Sequence, residues 1–165
     1  MGLSDTTNRT SFTLVPTPES VSWMSTGEDT SFLVTTTGHL YSCGLNATGE
    51  LGLNDGINRS SFTLVPTPEP VISVEARLNY GTLIVVVSGQ LYVCGTQYPG
   101  VENIEIPFTL VDTPEPVVST TAGIRSFFIV TVSGQVYAQG GNNDGQLGVG
   151  DTNNRFRFTP VPLPM

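Results

Sequence analysis

The chain has 165 residues, of which only 12% are charged, about half the usual share. Fourteen acids face six bases, all of them Arg, for a net charge of −8. No run approaches the roughly 18 apolar residues of a membrane span, and no charged and apolar leader pattern marks a secretory signal. A lysine-free acidic chain also lacks the cationic contacts whose counterion release drives binding to DNA. Neither a membrane nor DNA is therefore expected as a partner. The expected location is intracellular, cytoplasm or nucleus, or inside a large assembly such as a virion.

Eighteen Gly and 12 Pro, with 22 Thr and 19 Val, favour short strands joined by turns. In chain order, the first predicted strand is Phe12-Thr13-Leu14-Val15, followed by Pro16. The same words return as Phe62 to Pro66, Phe108 to Asp112 and Phe158 to Pro162, at steps of 50, 46 and 50. A second marker keeps phase with the first: Gly38 to Gly44, Gly89 to Gly95 and Gly134 to Gly140. Two markers in phase define a repeat of about 50 residues.

Within each repeat the pattern is β. Val71–Val74 and Val117–Thr120 read as short strands after a Pro-Glu-Pro segment. Leu83–Val87 and Phe127–Val132 are apolar runs of the kind that bury both faces. Ser88-Gly89 and Ser133-Gly134 supply hairpin turns. Leu91–Cys94 and Val136–Gln139 are the return strands. Adding the Phe-Thr-Leu-Val stretch makes four strands per unit, the content of one propeller blade.

Gly49-Glu50-Leu51-Gly52-Leu53-Asn54-Asp55 and Gly145-Gln146-Leu147-Gly148-Val149-Gly150-Asp151 resemble the G-Q-L-G-x-G-D loop of RCC1-type repeats (regulator of chromosome condensation). The Gly-Gln-Val-Tyr strand before the loop is also similar to that family. The chain departs from the family in holding Cys43, Cys94 and Gln139 where Trp is usual, and in lacking the loop in unit two. The resemblance implies an all-β fold, a partial or oligomer-completed β-propeller of four-stranded blades. Three units cannot close the seven-bladed ring of well-known members.

Phased on the first marker, the units run about 5–54, 55–104 and 105–150, leaving a surplus outer strand at about 151–165. Residues 2–16 also match 148–162 at an offset of 146. An open arc exposes sheet faces and an edge that template another chain. Two explanations stand side by side: assembly, with the strand at 156–162 docking on a neighbour, or a fragment of a longer propeller.

The repeated Asp-x-x-Asn-Arg at Asp5, Asp55 and Asp151 could supply oxygens to a hard cation. It lacks the Ca²⁺-loop pattern and fits an Asx turn with an Arg held four residues on. Cys43 and Cys94 sit at equivalent places in adjacent units, where a disulfide is not expected; one His and no CxxC pair leave no zinc site. His39 stands where the other units have Gln90 and Gln135, a solvated hairpin position. The Pro-Thr-Pro-Glu tracts read as stiff connectors or polyproline ligands. No catalytic residue, cofactor site or metal site is expected.

These features predict a non-catalytic interaction or structural scaffold, completed by self-assembly or by a partner protein. Partner-binding residues are sought in Trp23, which is peculiar to unit one; in Phe156, Phe158 and Val161 of the last strand; and in Tyr98, Glu102 and Glu105 of the irregular segment 95–107. The alternatives implied by the resemblance are guanine-nucleotide exchange on a small GTPase and a chromatin-associated regulator, in which an acidic face binds histone tails.

Overall fold

The computed structural model describes residues 2–76, 81–95 and 108–163. Among them, twelve strands form three four-stranded antiparallel sheets and no helix occurs. The first sheet is β1 (Val21–Thr26), β2 (Thr30–Thr35), β3 (Leu40–Gly44) and β4 (Arg59–Leu64). The second is β5 (Val71–Ala76), β6 (Thr82–Val86), β7 (Leu91–Cys94) and β8 (Thr109–Val111). The third is β9 (Val117–Ala122), β10 (Ser126–Thr131), β11 (Val136–Gly140) and β12 (Arg155–Pro160). Each sheet runs in sequence order, which is the meander of a propeller blade.

The sheets divide the chain at 21–64, 71–111 and 117–160, not at the boundaries drawn from the first repeat marker. Residues 155–160 are no surplus strand. They pair with β11 as the fourth strand of the third blade, with Tyr137 opposite Pro160 and Ala138 opposite Thr159. The physical reason is phase: each Phe-Thr-Leu-Val copy closes the hairpin before it instead of opening the unit after it. The copy left over is therefore the first, Phe12 to Val15, which lies in no strand.

Blade packs on blade through alternating residues. In β6, Ile84 and Val86 join Phe32, Val34, Leu40 and Leu51 of the first blade in one buried cluster. Leu83 and Val85 of the same strand face the other way, with Leu91 and Val93, onto Val117, Phe127 and Ile129 of the third blade. Both faces of β6 are thus covered, which is why its sequence is uniformly apolar. Strands β1, β5 and β9 carry most of the contact between sheets, together with β2 and β6.

Polar bonds fix the stacking geometry. The hairpin carbonyl of Gly38 accepts the Val71 N–H at 2.8 Å, and that of Gly89 accepts the Val117 N–H at 2.8 Å. Hence each hairpin is tied to the start of the next blade, with Pro70 against Gly38 and Pro116 against Gly89. The connectors 66–70 and 112–116 link successive blades, and each is closed by a Thr hydroxyl donating to a Glu carbonyl, Thr67 to Glu69 and Thr113 to Glu115. The strand-ending glycines have a steric cause. A Cβ on Gly44 would lie 2.0 Å from the Asp29 carbonyl oxygen, and one on Gly140 would lie 2.2 Å from that of Arg125.

The stacked core makes a stability prediction. Replacing Ile84, buried between the first two blades, with Ala should cost about 2–5 kcal/mol in urea unfolding, whereas Val118→Ala on the exposed side of β9 should stay within about 1 kcal/mol. Equal losses at the two sites would contradict this packing.

Candidate interaction surface

The loops at one end of the first and third blades are built by a repeated polar clamp. Asn46 is fully buried; its Nδ2 donates to the Asp55 carbonyl at 2.6 Å and its Oδ1 accepts the Leu51 N–H at 2.9 Å. Asn58 Oδ1 accepts the Asn46 N–H at 2.9 Å. Asn142, Asp151, Leu147 and Asn154 repeat every one of these bonds in the third blade. The clamp drives Leu51 and Leu147 into the interior, both without exposure. Sequence reasoning passed over Asn46 and Asn142 as loop residues. The signal that marks them is their fixed spacing, nine residues before the repeated Asp.

The Asp-x-x-Asn-Arg loops are the Asx turns expected. In each, one carboxylate oxygen accepts a backbone N–H two residues on at 2.9 Å (Thr7, Ile57 and Asn153). The other oxygen pairs with the Arg: Asp5 with Arg9 at 2.7 Å, Asp55 with Arg59 at 2.6 Å, Asp151 with Arg155 at 2.8 Å. The Arg155 bond, then the Asn153 N–H, hold the Asp151 carboxyl at about 2. Asp5 is lowered by Arg9 and then Thr7, and Asp55 by the Ile57 N–H and then Arg59. Among the described residues no group of three His, Cys, Asp or Glu is placed to hold a metal ion.

His39 sits on an exposed hairpin, where its Nδ1 lies 2.7 Å from Glu19 Oε1. Glu19 also accepts a bond from Thr37, and these two partners, Thr37 first, lower its pKa. In the second blade Glu69 does the same work, accepting from the Ser88 hydroxyl at 3.1 Å. The pair therefore ties a connector to the hairpin of its own blade. Cys43 and Cys94 are free and buried. Burial pushes the Cys43 thiol up to about 11 and raises Cys94 as well.

The surface residues named from sequence scatter. Trp23 is 45% exposed, and its indole N–H donates to the Val74 carbonyl at 3.1 Å, so it staples β1 to β5 within the chain. Phe158 packs against the cluster between the second and third blades. The Val161 N–H donates to the Val136 carbonyl at 2.9 Å. Phe156 is 69% exposed, and Val161, just past β12, is half-buried. Tyr98, Glu102 and Glu105 lie outside the described residues.

Two apolar surfaces remain at the ends of the stack. Phe128, Val130, Val136 and Val161 of the third blade are only half-buried, although their equivalents Phe32, Leu83, Val34, Val85, Leu40, Leu91 and Val65 are buried. Gly134, unlike Gly38 and Gly89, has nothing within 4 Å of its Cβ position. At the other end Met24 is exposed where Val74 of the second blade is fully buried. Leu3 and residues 5–9 border a cleft of about 830 Å³ together with Asp29, Gly44 and Arg59.

Stacked four-stranded meanders with clamped loops define a propeller-type repeat protein. Residues 133–165 match the family model of the regulator of chromosome condensation (RCC1) repeat, and the described residues form three propeller-type blades. No curated protein matches the chain in sequence. Among solved structures it is similar to human WBSCR16, with 22% identity and a TM-score of 0.79 over 90% of this chain and 39% of that one. It is also similar to Prp20p of Saccharomyces cerevisiae, with 22% identity and a TM-score of 0.70 over 87% of this chain and 38% of that one. The chain thus spans about two fifths of the length of these proteins.

Two outcomes follow from the clamps and thiols. A carboxylate whose folded pKa is lowered stabilises the fold above its unfolded value and loses that contribution as pH falls through the folded value. The contribution of Asp151 should therefore be intact above about pH 4 and vanish toward pH 2, with Asp5, Asp55 and Glu19 acting in the same sense. Glu75, raised by burial, acts oppositely. Asp151→Asn should flatten the acid limb of stability measured by chemical denaturation; an unchanged limb would show the turn carries no linkage. Both cysteines should resist alkylation at pH 8 until the protein is unfolded, and prompt labelling of either in the native state would contradict their burial.

Proposed function

We propose that the chain is a non-catalytic protein-interaction scaffold whose RCC1-like blades are completed by another protein surface at the open end of the stack. The observation that supports this most directly is the third blade's outward face. Phe128, Val130, Val136 and Val161 repeat the residues that bury the interfaces inside the chain, and there they meet no further blade among the described residues. A contiguous apolar face of this kind marks a protein contact. Its geometry is that of a blade, flat and built of alternating residues, so its complement is another sheet and not a small ligand.

The nature of the relatives points the same way. One structure of the yeast protein is described with its binding properties to Gsp1p and histones, and another holds Kap60 bound to yeast RCC1 (Prp20). Protein partners are accordingly the class we assign to this chain. Its acidic balance of fourteen acids to six Arg favours a basic polar rim around the apolar contact.

The test is mass in solution, measured by light scattering after size exclusion on protein purified with whatever accompanies it. The expected mass exceeds the 17.6 kDa of one chain and returns to it in Val130→Asp, with the strand content by circular dichroism retained. A bare 17.6 kDa species at every concentration would overturn the scaffold. Nucleotide release from a small GTPase is measured alongside, and acceleration by substoichiometric protein would replace this reading with exchange.

A further inference from the structure

The two junctions between blades differ along their inner edge. Trp23 and Ser25 of β1 stand opposite Val34 and Phe32 of β2, which belong to the cluster against the second blade. Cross-strand partners share a face, so Trp23 and Ser25 also point at the second blade. Each makes a bond across that junction. The Trp23 indole N–H donates to the Val74 carbonyl at 3.1 Å, and the Ser25 hydroxyl accepts the Ala76 N–H at 3.0 Å.

In β5 the same places hold Ser73 and Glu75, opposite Val85 and Leu83, which face the third blade. The corresponding targets in β9 are Thr120 and Ala122. They stand opposite Ile129 and Phe127, as Val74 and Ala76 stand opposite Ile84 and Thr82. Here the polar stitches are missing. The Ser73 hydroxyl is buried and has no hydrogen-bond partner; a serine is too short to reach where an indole does. Glu75 is half-buried, and burial raises its pKa with no donor or cation beside it among the described residues.

A polar group buried without a partner is costly, and contact with water removes the cost. Parting the second and third blades would wet both groups. The hairpin end of the same junction is tied, because the Gly89 carbonyl accepts the Val117 N–H at 2.8 Å and Pro116 lies against Gly89. Strand β9 runs from that tie toward Ala122, so the side that holds Glu75 is the side farther from the tie. We infer that the second junction is a hinge: the third blade swings from the second about the Gly89–Val117 tie, opening along Ser73 and Glu75, while the first two blades stay joined. The moving part carries the outward face of Phe128 and Val130. The hinge needs no partner and no second copy, so it stands apart from the scaffold reading.

Thiol labelling at matched positions tests the hinge. Val34 and Val85 hold the same register place in β2 and β6 and are buried in the first and second junctions respectively. In separate Val34→Cys and Val85→Cys variants, alkylation under native conditions is followed peptide by peptide. The residue 85 thiol should react at least about tenfold faster than the residue 34 thiol, as an opening below global unfolding requires. Cys94, whose thiol lies 3.4 Å from the Glu50 carbonyl of the first blade, should stay unlabelled meanwhile, which separates hinge opening from unfolding. Ser73→Ala deletes the orphan hydroxyl, and Glu75→Ser supplies the residue found at Ser25. Each should slow labelling at residue 85 about threefold or more and leave labelling at residue 34 unchanged. Equal rates at the two positions, or a residue 85 rate untouched by both substitutions, would overturn the hinge. Loss of the native fold in Val85→Cys would be seen as labelling of Cys94, and Ile129→Cys, on the third-blade side of the same cluster, then replaces it.

Discussion

A sheet of Val, Ile and Leu has two faces to hide, and in this chain only another sheet hides them. The middle blade shows the constraint in full: Ile84 and Val86 look one way, Leu83 and Val85 the other, and all are buried. Each interior face removes apolar area from water at roughly 25 cal/mol per Å², while a single repeat unit cannot bury its hydrophobic face alone. Stability therefore belongs to the junctions between blades, as in other repeat arrays. Where a junction is missing, the cost appears as half-buried Phe128 and Val130.

The polar features serve these junctions. Asn46 and Asn142 close loops so that Leu51 and Leu147 can point inward; Asp–Arg pairs stiffen the same loops from outside. Exposed ion pairs add little energy one at a time. Their value here is conformational, because each holds the turn that delivers the fourth strand to the edge of the third. Glu19 and Glu69 tie connectors to hairpins by the same logic.

Much of the fold was legible in the sequence because the repeat exposes its own constraints. The apolar run at Leu83–Val86, the Ser-Gly turns and the glycines at 44, 95 and 140 occur in phase, and the run and the glycines each have a burial or steric cause, whereas Val87 at the end of the predicted run is exposed. What was not legible was the phase of the blade. A periodic sequence has no marked beginning, and Phe12-Thr13-Leu14-Val15 reads equally as a first strand or as a last one. Only the pairing of Tyr137 with Pro160 settles which copy closes a sheet and which is left over. Trp23 was similarly ambiguous: its aromatic body suits a contact anchor, and its indole N–H turns out to bond across to Val74.

The pattern of β10 sharpens the point about the open end. Its burial alternates along the strand, with Phe127, Ile129 and Thr131 inside and Phe128 and Val130 part-exposed, while the equivalent β6 is buried throughout. A strand designed by burial on one face alone would carry polar residues at 128 and 130, since antiparallel sheets that face water do so. This strand keeps Phe and Val there. Its composition is that of an interior strand. The third blade thus carries interface chemistry on a flat face, and a face needs a second sheet laid upon it.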